Sequence, residues 1–237
     1  MTNKNNSTAV KDTQKIWAHF QKSYPDTFEG ARPRLGYILK EISRKKEIPV
    51  PRVLNIGAGN GFFEESSKHA GWDIYSLDPD ADTSKNLSDR GVKAYQGNVA
   101  AMPFDDDSFD FVVASEVLEH LNDHQLDRGK KEVCRVLKNR GYFIGTVPYC
   151  EDLSLSLVVC PKCEENFHRW GHEQSFDLGK IENILSPLFS DVQVKRRAFV
   201  QFKGQGVWGL FEGMVRMILA RYGARISSTN IYFIARA

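Results

Sequence analysis

The chain has 237 residues, 41% of them hydrophobic and 26% charged, and its 32 basic against 30 acidic side chains leave a net charge of +2. That length suits one large α/β domain with a small insertion, and the charge is too low to draw nucleic acid or acidic membranes by long-range attraction. No stretch approaches the ~18 apolar residues of a membrane-spanning helix, and Met1–Lys15 lacks the apolar run of a secretory signal, so a cytoplasmic globular chain is expected.

Residues 1–12 read as a polar tail. Residues 13–24 and 33–46 carry helical apolar spacing (Ile16, Phe20; Leu35, Ile38, Leu39, Ile42), and Pro49 and Pro51 close that region. A strand at Arg52–Ile56 runs into Gly57-Ala58-Gly59-Asn60-Gly61 and a helix from Phe62 to Ala70. Further strands are predicted at Trp72–Leu77, Val92–Gln96 and Phe109–Ala114, the last continuously apolar as for a parallel strand buried on both faces. A helix through Val133, Val136 and Leu137 is predicted to stop at Asn139-Arg140-Gly141, with Gly141 as its left-handed cap. Then come a strand at Tyr142–Val147, a Cys/His segment, a helix around 178–188, a strand around 192–200, a helix from Val207 to Tyr222 and a last strand at Asn230–Ala237. The alternation predicts a mostly parallel sheet with helices on both faces.

In such sheets ligands bind beyond the carboxyl ends of the strands. The glycines after the first strand allow tight turning and close approach of a ligand to the backbone. The position five after Gly57 is Phe62, so the dinucleotide pattern G-x-G-x-x-G is broken, and the phosphate-cradling lysine loop is absent. What remains is G-x-G-x-G with a carboxylate, Asp78, 21 positions after Gly57 at the end of the second strand, able to accept two ribose hydroxyls. This points to a nucleoside ligand without a pyrophosphate. A glycine-rich turn with no ligand is the alternative reading of the loop alone.

The segments VLNIGAGNGFF, SLDPD, GNVAAMPFDDDSFDFVVASEVLEHL and EVCRVLKNRGYFIGTVP, in that order, resemble the successive motifs of class I S-adenosylmethionine-dependent methyltransferases, nearest the small-molecule and quinone-type branch. The resemblance covers about residues 50–150, with NIYFIARA also fitting. It implies a Rossmann-like seven-stranded sheet whose last strand is inserted antiparallel. It also implies Gly57, Ala58 and Gly59 beneath the methionine part of the cofactor, Asp78 on its ribose, Asn98 and Val99 at its adenine, and Ser115 and Glu116 beside the methyl, with Gly61 and Pro79 also cofactor-binding. The sequence departs from the family pattern at Asn55 and Asn98, where acids are usual, and at Arg140-Gly141, where Gly-Gly is usual.

Methyl transfer from a sulfonium is an in-line displacement that depends mostly on holding the acceptor in line, with a base needed when a hydroxyl must lose its proton. His120 is the first candidate base and Glu116 the second, on one face if the segment is helical; His120 as a packed pocket residue is the alternative. Glu119 and His124 are expected in solvent. Residues 1–48 are expected to form a tail and helical lid over residues 49–237, with Trp17, Phe20, Tyr24, Arg32 and Arg34 on it. Cys160-x2-Cys163-x4-His168-x3-His172 has zinc-knuckle spacing, and four such ligands would make a closed structural zinc site. That insertion, residues 150–176, is expected to line the acceptor pocket with Tyr149, Phe167 and Trp170. Cys134 reads as core. The helix in the 201–229 segment, with a small or polar stripe at Gly209, Glu212, Gly213, Arg216 and Ala220, reads as a cover or homodimer face, with lipid contact as the lesser alternative. No long basic groove is evident, which argues against RNA. The expected function is methylation of a small or medium-sized metabolite, on a hydroxyl of a sugar, glycolipid or secondary metabolite. The alternatives are an RNA methyltransferase and a non-catalytic cofactor-binding scaffold.

Overall fold

A computed structural model describes residues 6–200 and 229–237, together with Gly213, Val215 and Ile218. The chain starts with α1 (Asn6–Ser23), a 3-10 turn over Pro25–Ala31 and α2 (Arg32–Lys45). Pro33 in the first turn of α2 presets its helical backbone, and Ile38 and Ile42, one turn apart, are fully buried. The body then alternates β1 (Arg52–Ile56), α3 (Phe62–His69), β2 (Asp73–Asp78), α4 (Ala81–Asp89), β3 (Lys93–Gln96), β4 (Phe109–Ser115), α5 (Asp123–Val136) and β5 (Leu137–Pro148). A hairpin, β6 (Leu157–Val159) with β7 (Asn166–His168), forms the insertion, and α6 (Leu178–Leu185), β8 (Asp191–Ala198) and β9 (Thr229–Arg236) complete the fold.

The seven-stranded sheet has the order β3-β2-β1-β4-β5-β9-β8, with β9 antiparallel to both neighbours and the other neighbouring pairs parallel. This is the Rossmann-like seven-stranded sheet with an antiparallel last strand expected from the sequence. Period-two alternation sends Val53, Phe111 and Tyr232 to one face, against Ile38, Ile42 and Phe63, and Leu54, Val112 and Phe233 to the other, against Val133, Phe176 and Ile181. With β1 paired to β2 on one side and β4 on the other, strand order reverses at β1, and a crevice is expected beyond the ends of β1 and β4.

Three features depart from expectation. Helix α4 was not visible in the sequence, because Leu87 is its one apolar core residue; Asp80 starts it by accepting the Thr83 N–H at 2.8 Å. Helix α5 ends without a left-handed glycine cap. Leu137 is pulled into the core as the first residue of β5, and the left-handed residue of the following bulge is Arg140, with φ of 67°. Gly141 is needed there for space, since a Cβ would lie 2.9 Å from the Lys138 carbonyl. Third, the insertion is a strand hairpin. The helix predicted from Val207 to Tyr222 lies outside the described residues except for Gly213, Val215 and Ile218, which are helical. No helix among the described residues is long and apolar enough to cross a membrane.

Candidate functional site

A cavity of about 520 Å³ opens at the ends of β1, β2 and β4, within the size range of small-molecule sites. One wall is the loop after β1. Gly57 (φ 81°) and Gly59 (φ 57°) are left-handed, a conformation costly for any other residue. A Cβ on Gly57 would lie 2.9 Å from Val117, and one on Gly59 3.2 Å from the Phe28 ring, so both glycines keep the cavity floor open. Gly61 is also left-handed and caps α3.

Asp78 stands at the end of β2, 4% exposed, and its carboxylate accepts the backbone N–H groups of Ala58 and Asp80, each at 2.9 Å. Burial raises its pKa, and those hydrogen bonds oppose the rise. Gln21 of α1 donates to the same carboxylate at 3.3 Å and to the Gly59 carbonyl at 3.4 Å, and it accepts from Thr83 Oγ1. Helix α1 is thus fastened on Asp78 itself. No sequence motif marks Gln21; only its position one turn after Trp17 puts it on the inner face of α1. Pro79, Asn98 and Val99 line the cavity beside Asp78. Asn98 Oδ1 accepts the Ala100 N–H at 2.9 Å, so its oxygen already closes a local turn.

Asn55, where the family pattern has an acid, is 2% exposed and donates to Glu64 Oε1 at 2.7 Å. Ser76 donates to the same oxygen at 2.8 Å. An acid is therefore present behind the glycine loop, delivered from α3. Burial pushes Glu64 up to about 7 against the pull of these hydrogen bonds.

The opposite wall is built from the segment after β4. Arg34 of α2 donates to Ser115 Oγ at 2.8 Å and lies 3.8 Å from the Glu116 carboxylate; Arg32 instead pairs with Glu29. Glu116 is left-handed (φ 56°), accepts from Asn230 Nδ2 at 3.0 Å, and has its other oxygen buried without a partner. That backbone conformation rules out a continuous helix from Glu116 to His120; only Leu118–His120 forms a 3-10 turn. His120 donates its Nδ1–H to the Gly171 carbonyl, 3.1 Å away, which leaves Nε2 of the neutral ring as a lone pair. Burial, and then the neighbouring His172, lower its pKa to about 4. Glu119, expected in solvent, is instead fully buried, with both carboxylate oxygens unpartnered among the described residues. Burial and the nearby Glu116 charge raise its pKa well above the carboxylate range. His124 is exposed as expected.

The insertion reaches the cavity through Trp170, His172 and Glu173. Trp170 stacks on Trp17 of the lid, with centroids 6.2 Å apart. Phe167 faces outward, 42% exposed, and Tyr149 packs on the core, so the expected aromatic wall reduces to Trp170. The four residues read as one zinc knuckle fall in two places. Cys160 and Cys163 sit at the tip of the β6–β7 hairpin, where backbone hydrogen bonds from Cys163 and Lys162 lower the Cys160 pKa. His168 and His172 turn inward to Glu151, and among the described residues neither cysteine joins any group of three ligating side chains. The separation follows from β pairing, which turns His168 inward opposite Leu157 while the cysteines lie beyond the last paired residues. Cys134 is partly buried on the core, as expected.

With this geometry in place, residues 54–145 match the family model described as a methyltransferase domain. An uncharacterized protein of Methanocaldococcus jannaschii is 32% identical over 115 residues, 48% of this chain and 46% of that one. The human mitochondrial arginine-hydroxylase NDUFAF5 is 28% identical over 143 residues, 58% of this chain and 40% of that protein. The chain thus matches less than half the length of these curated relatives. Among solved structures, a chain from the Haloferax volcanii complex of the Trm112 methyltransferase activator with a methyltransferase superposes with a TM-score of 0.64 at 17% identity, covering 94% of this chain and 97% of that one. An S-adenosylmethionine-dependent methyltransferase of Thermotoga maritima gives 0.62 at 18%, covering 94% and 98%. The fold is that of S-adenosylmethionine-dependent methyltransferases.

Proposed function

We propose that this protein is an S-adenosylmethionine-dependent methyltransferase acting on a hydroxyl of a small or medium-sized metabolite, such as a sugar, glycolipid or secondary metabolite. The observation that carries it is one cavity holding both a nucleoside-type cradle, Asp78 with the left-handed Gly57 and Gly59, and an acceptor-type wall, Glu116 and His120. The residues present fit the methyl donor: a side chain on Gly57 or Gly59 would meet Val117 or Phe28 at the cavity floor, and Asp78 is a buried carboxylate whose hydrogen bond from Gln21 a ribose hydroxyl can replace.

In this reading Gly57, Ala58, Gly59 and Gly61 would bind the methionine part, Asp78 and Pro79 the ribose, and Asn98 and Val99 the adenine, with Ser115 beside the reacting carbon. Bound there, the donor supplies an electrophilic methyl group on a sulfonium. The chain orients the acceptor between Trp170 and the turn after β4. His120 Nε2 offers a lone pair to the acceptor's hydroxyl, and the free Glu116 oxygen offers a second proton acceptor. Trp17 and Trp170 close the cavity on the lid side and keep water from competing for the methyl. Resemblance to the small-molecule branch supports a metabolite acceptor.

Calorimetric titration with S-adenosylmethionine and its demethylated product tests the reading. Micromolar binding lost in Asp78→Ala, followed by a one-methyl mass gain in a hydroxylated acceptor from a metabolite panel, supports it. No binding by folded protein overturns it, and donor binding with salt-sensitive retention of RNA moves the acceptor to nucleic acid.

A further inference from the structure

We infer that Glu119, His120 and His172 form a binding site for a divalent transition-metal ion at the acceptor end of the cavity, with zinc as the ion whose chemistry the donor set suits best. Their ligand atoms lie within 4.8 Å of one another, and all three residues line the cavity. Two imidazoles and one carboxylate are a common donor set for a zinc ion that keeps an open position.

The hydrogen bonds around the three residues are those of prepared ligands. His120 uses Nδ1 on the Gly171 carbonyl, and His172 uses Nδ1 on Glu151 Oε2, at 2.5 Å. Each imidazole is thereby fixed in the tautomer that leaves Nε2 as a lone pair, held by the carbonyl and carboxylate partners that characteristically stand behind metal-bound histidines. Glu119 supplies the third ligand and the independent sign of a missing partner: it is fully buried, and among the described residues neither carboxylate oxygen has a hydrogen-bond partner. An isolated carboxylate in such a place is costly, whereas an ion beside it gives the charge a partner.

His168 supports the set without joining it. Its Nδ1 accepts the N–H groups of Trp170 and His172 at 3.3 and 3.1 Å, so its proton sits on Nε2, directed at Glu151 Oε1 3.6 Å away. A protonated Nε2 cannot ligate. The other triad within reach, Glu151, His168 and His172, is therefore the backing of the site, and the ion belongs on the cavity side of His172.

The consequence for chemistry rests on the proposed methyl transfer. Three protein ligands leave a position open toward the cavity, where the acceptor's hydroxyl oxygen would bind and lose its proton to the free Glu116 carboxylate oxygen. Its lone pair then forms the O–CH3 bond as the S–CH3 bond breaks, and the electron pair of that bond stays on sulfur. His120 then serves as a ligand, and Glu116 as the proton acceptor.

The test is metal binding alone, with Zn²⁺ by calorimetry and Co²⁺ by its visible absorption, on the full chain freed of metal by chelation. One equivalent per chain is expected in the wild type and in the double variant Cys160→Ser/Cys163→Ser. Glu119→Gln and His172→Ala lose it, and Glu151→Gln, which leaves all three ligands in place, weakens binding by about 10–100-fold. Thermal melts identify any variant that fails to fold, in which case Glu151→Gln decides. Substoichiometric binding by the wild type, binding lost in the cysteine double variant, or binding indifferent to both Glu119→Gln and Glu151→Gln would overturn the assignment. Metal binding without S-adenosylmethionine binding overturns the methyltransferase reading and leaves the metal site standing.

Discussion

The two walls of the cavity are built on opposite electrostatic plans. On the β1–β2 side, the Asp78 carboxylate is held by two backbone N–H groups and a side-chain amide; behind that wall Glu64 Oε1 is held by Asn55 and Ser76, while its Oε2 has no partner among the described residues. On the side after β4, among the described residues neither carboxylate oxygen of Glu119 has a partner and Glu116 has one oxygen unpartnered. A satisfied carboxylate is a fixed acceptor, ready for a ligand of known shape. A buried, unsatisfied one stores an unfavourable interaction that only an added proton, ion or substrate relieves. The first wall thus offers acceptors of fixed geometry, and the second a carboxylate left for an added proton, ion or ligand to satisfy.

Substitutions separate the two walls, beginning with the strongest effect. Asp78→Ala removes an acceptor of up to two charge-assisted hydrogen bonds, so donor affinity should fall by about 100-fold or more in calorimetry. Retained affinity would show that the satisfied wall is only structural. Glu64→Gln probes the same wall through pH. Because the fold holds Glu64 protonated up to about 7, its contribution to stability is full below the unfolded pKa near 4.5 and is lost as pH rises through about 7. The loss is on the order of 3 kcal/mol. Denaturant titrations should therefore show a shallower decline of stability between pH 4.5 and 7 in Glu64→Gln, and a more stable variant at pH 8.

Gly59→Ala places a Cβ in a left-handed residue and 3.2 Å from Phe28, for a cost of about 1–2 kcal/mol, measurable as a lowered melting temperature. Gln21→Ala frees the Asp78 carboxylate of its lid partner, and donor binding should tighten several-fold, the equivalent of one ordinary hydrogen bond of about 1 kcal/mol. Weaker donor binding in that variant would mean that Gln21 remains a ligand to the bound nucleoside. At the small end, Leu155→Ser on the outer side of the insertion, where Leu155 is 83% exposed, should change stability by less than about 0.5 kcal/mol.

The satisfied wall was legible in the sequence because it is local. Strand, glycine loop, helix and Asp78 fall within a single β-α-β stretch, and each residue type there has one conformational reason to be where it is. The other wall was read in pieces. His120 and Glu116 were found as candidates, but the left-handed backbone at Glu116 and the burial of Glu119 follow from packing that no spacing announces. Glu119 and His124 look alike as polar residues after a strand; one is fully buried and the other is in solvent.

By itself, then, the sequence determined the order of elements outside α4 and the insertion, because these depend on periodicity and on contacts between near neighbours, while the antiparallel last strand came from family resemblance. Only the tertiary structure decided how the Cys/His segment is used. Hairpin pairing turns His168 inward and leaves Cys160 and Cys163 at the tip, while the fold carries His172 across 52 residues of chain to His120, with ring centroids 4.7 Å apart. Ligand spacing along a chain fixes which residues can share an ion only when the segment folds alone; here the sheet and the turn after β4 supply the competing partners.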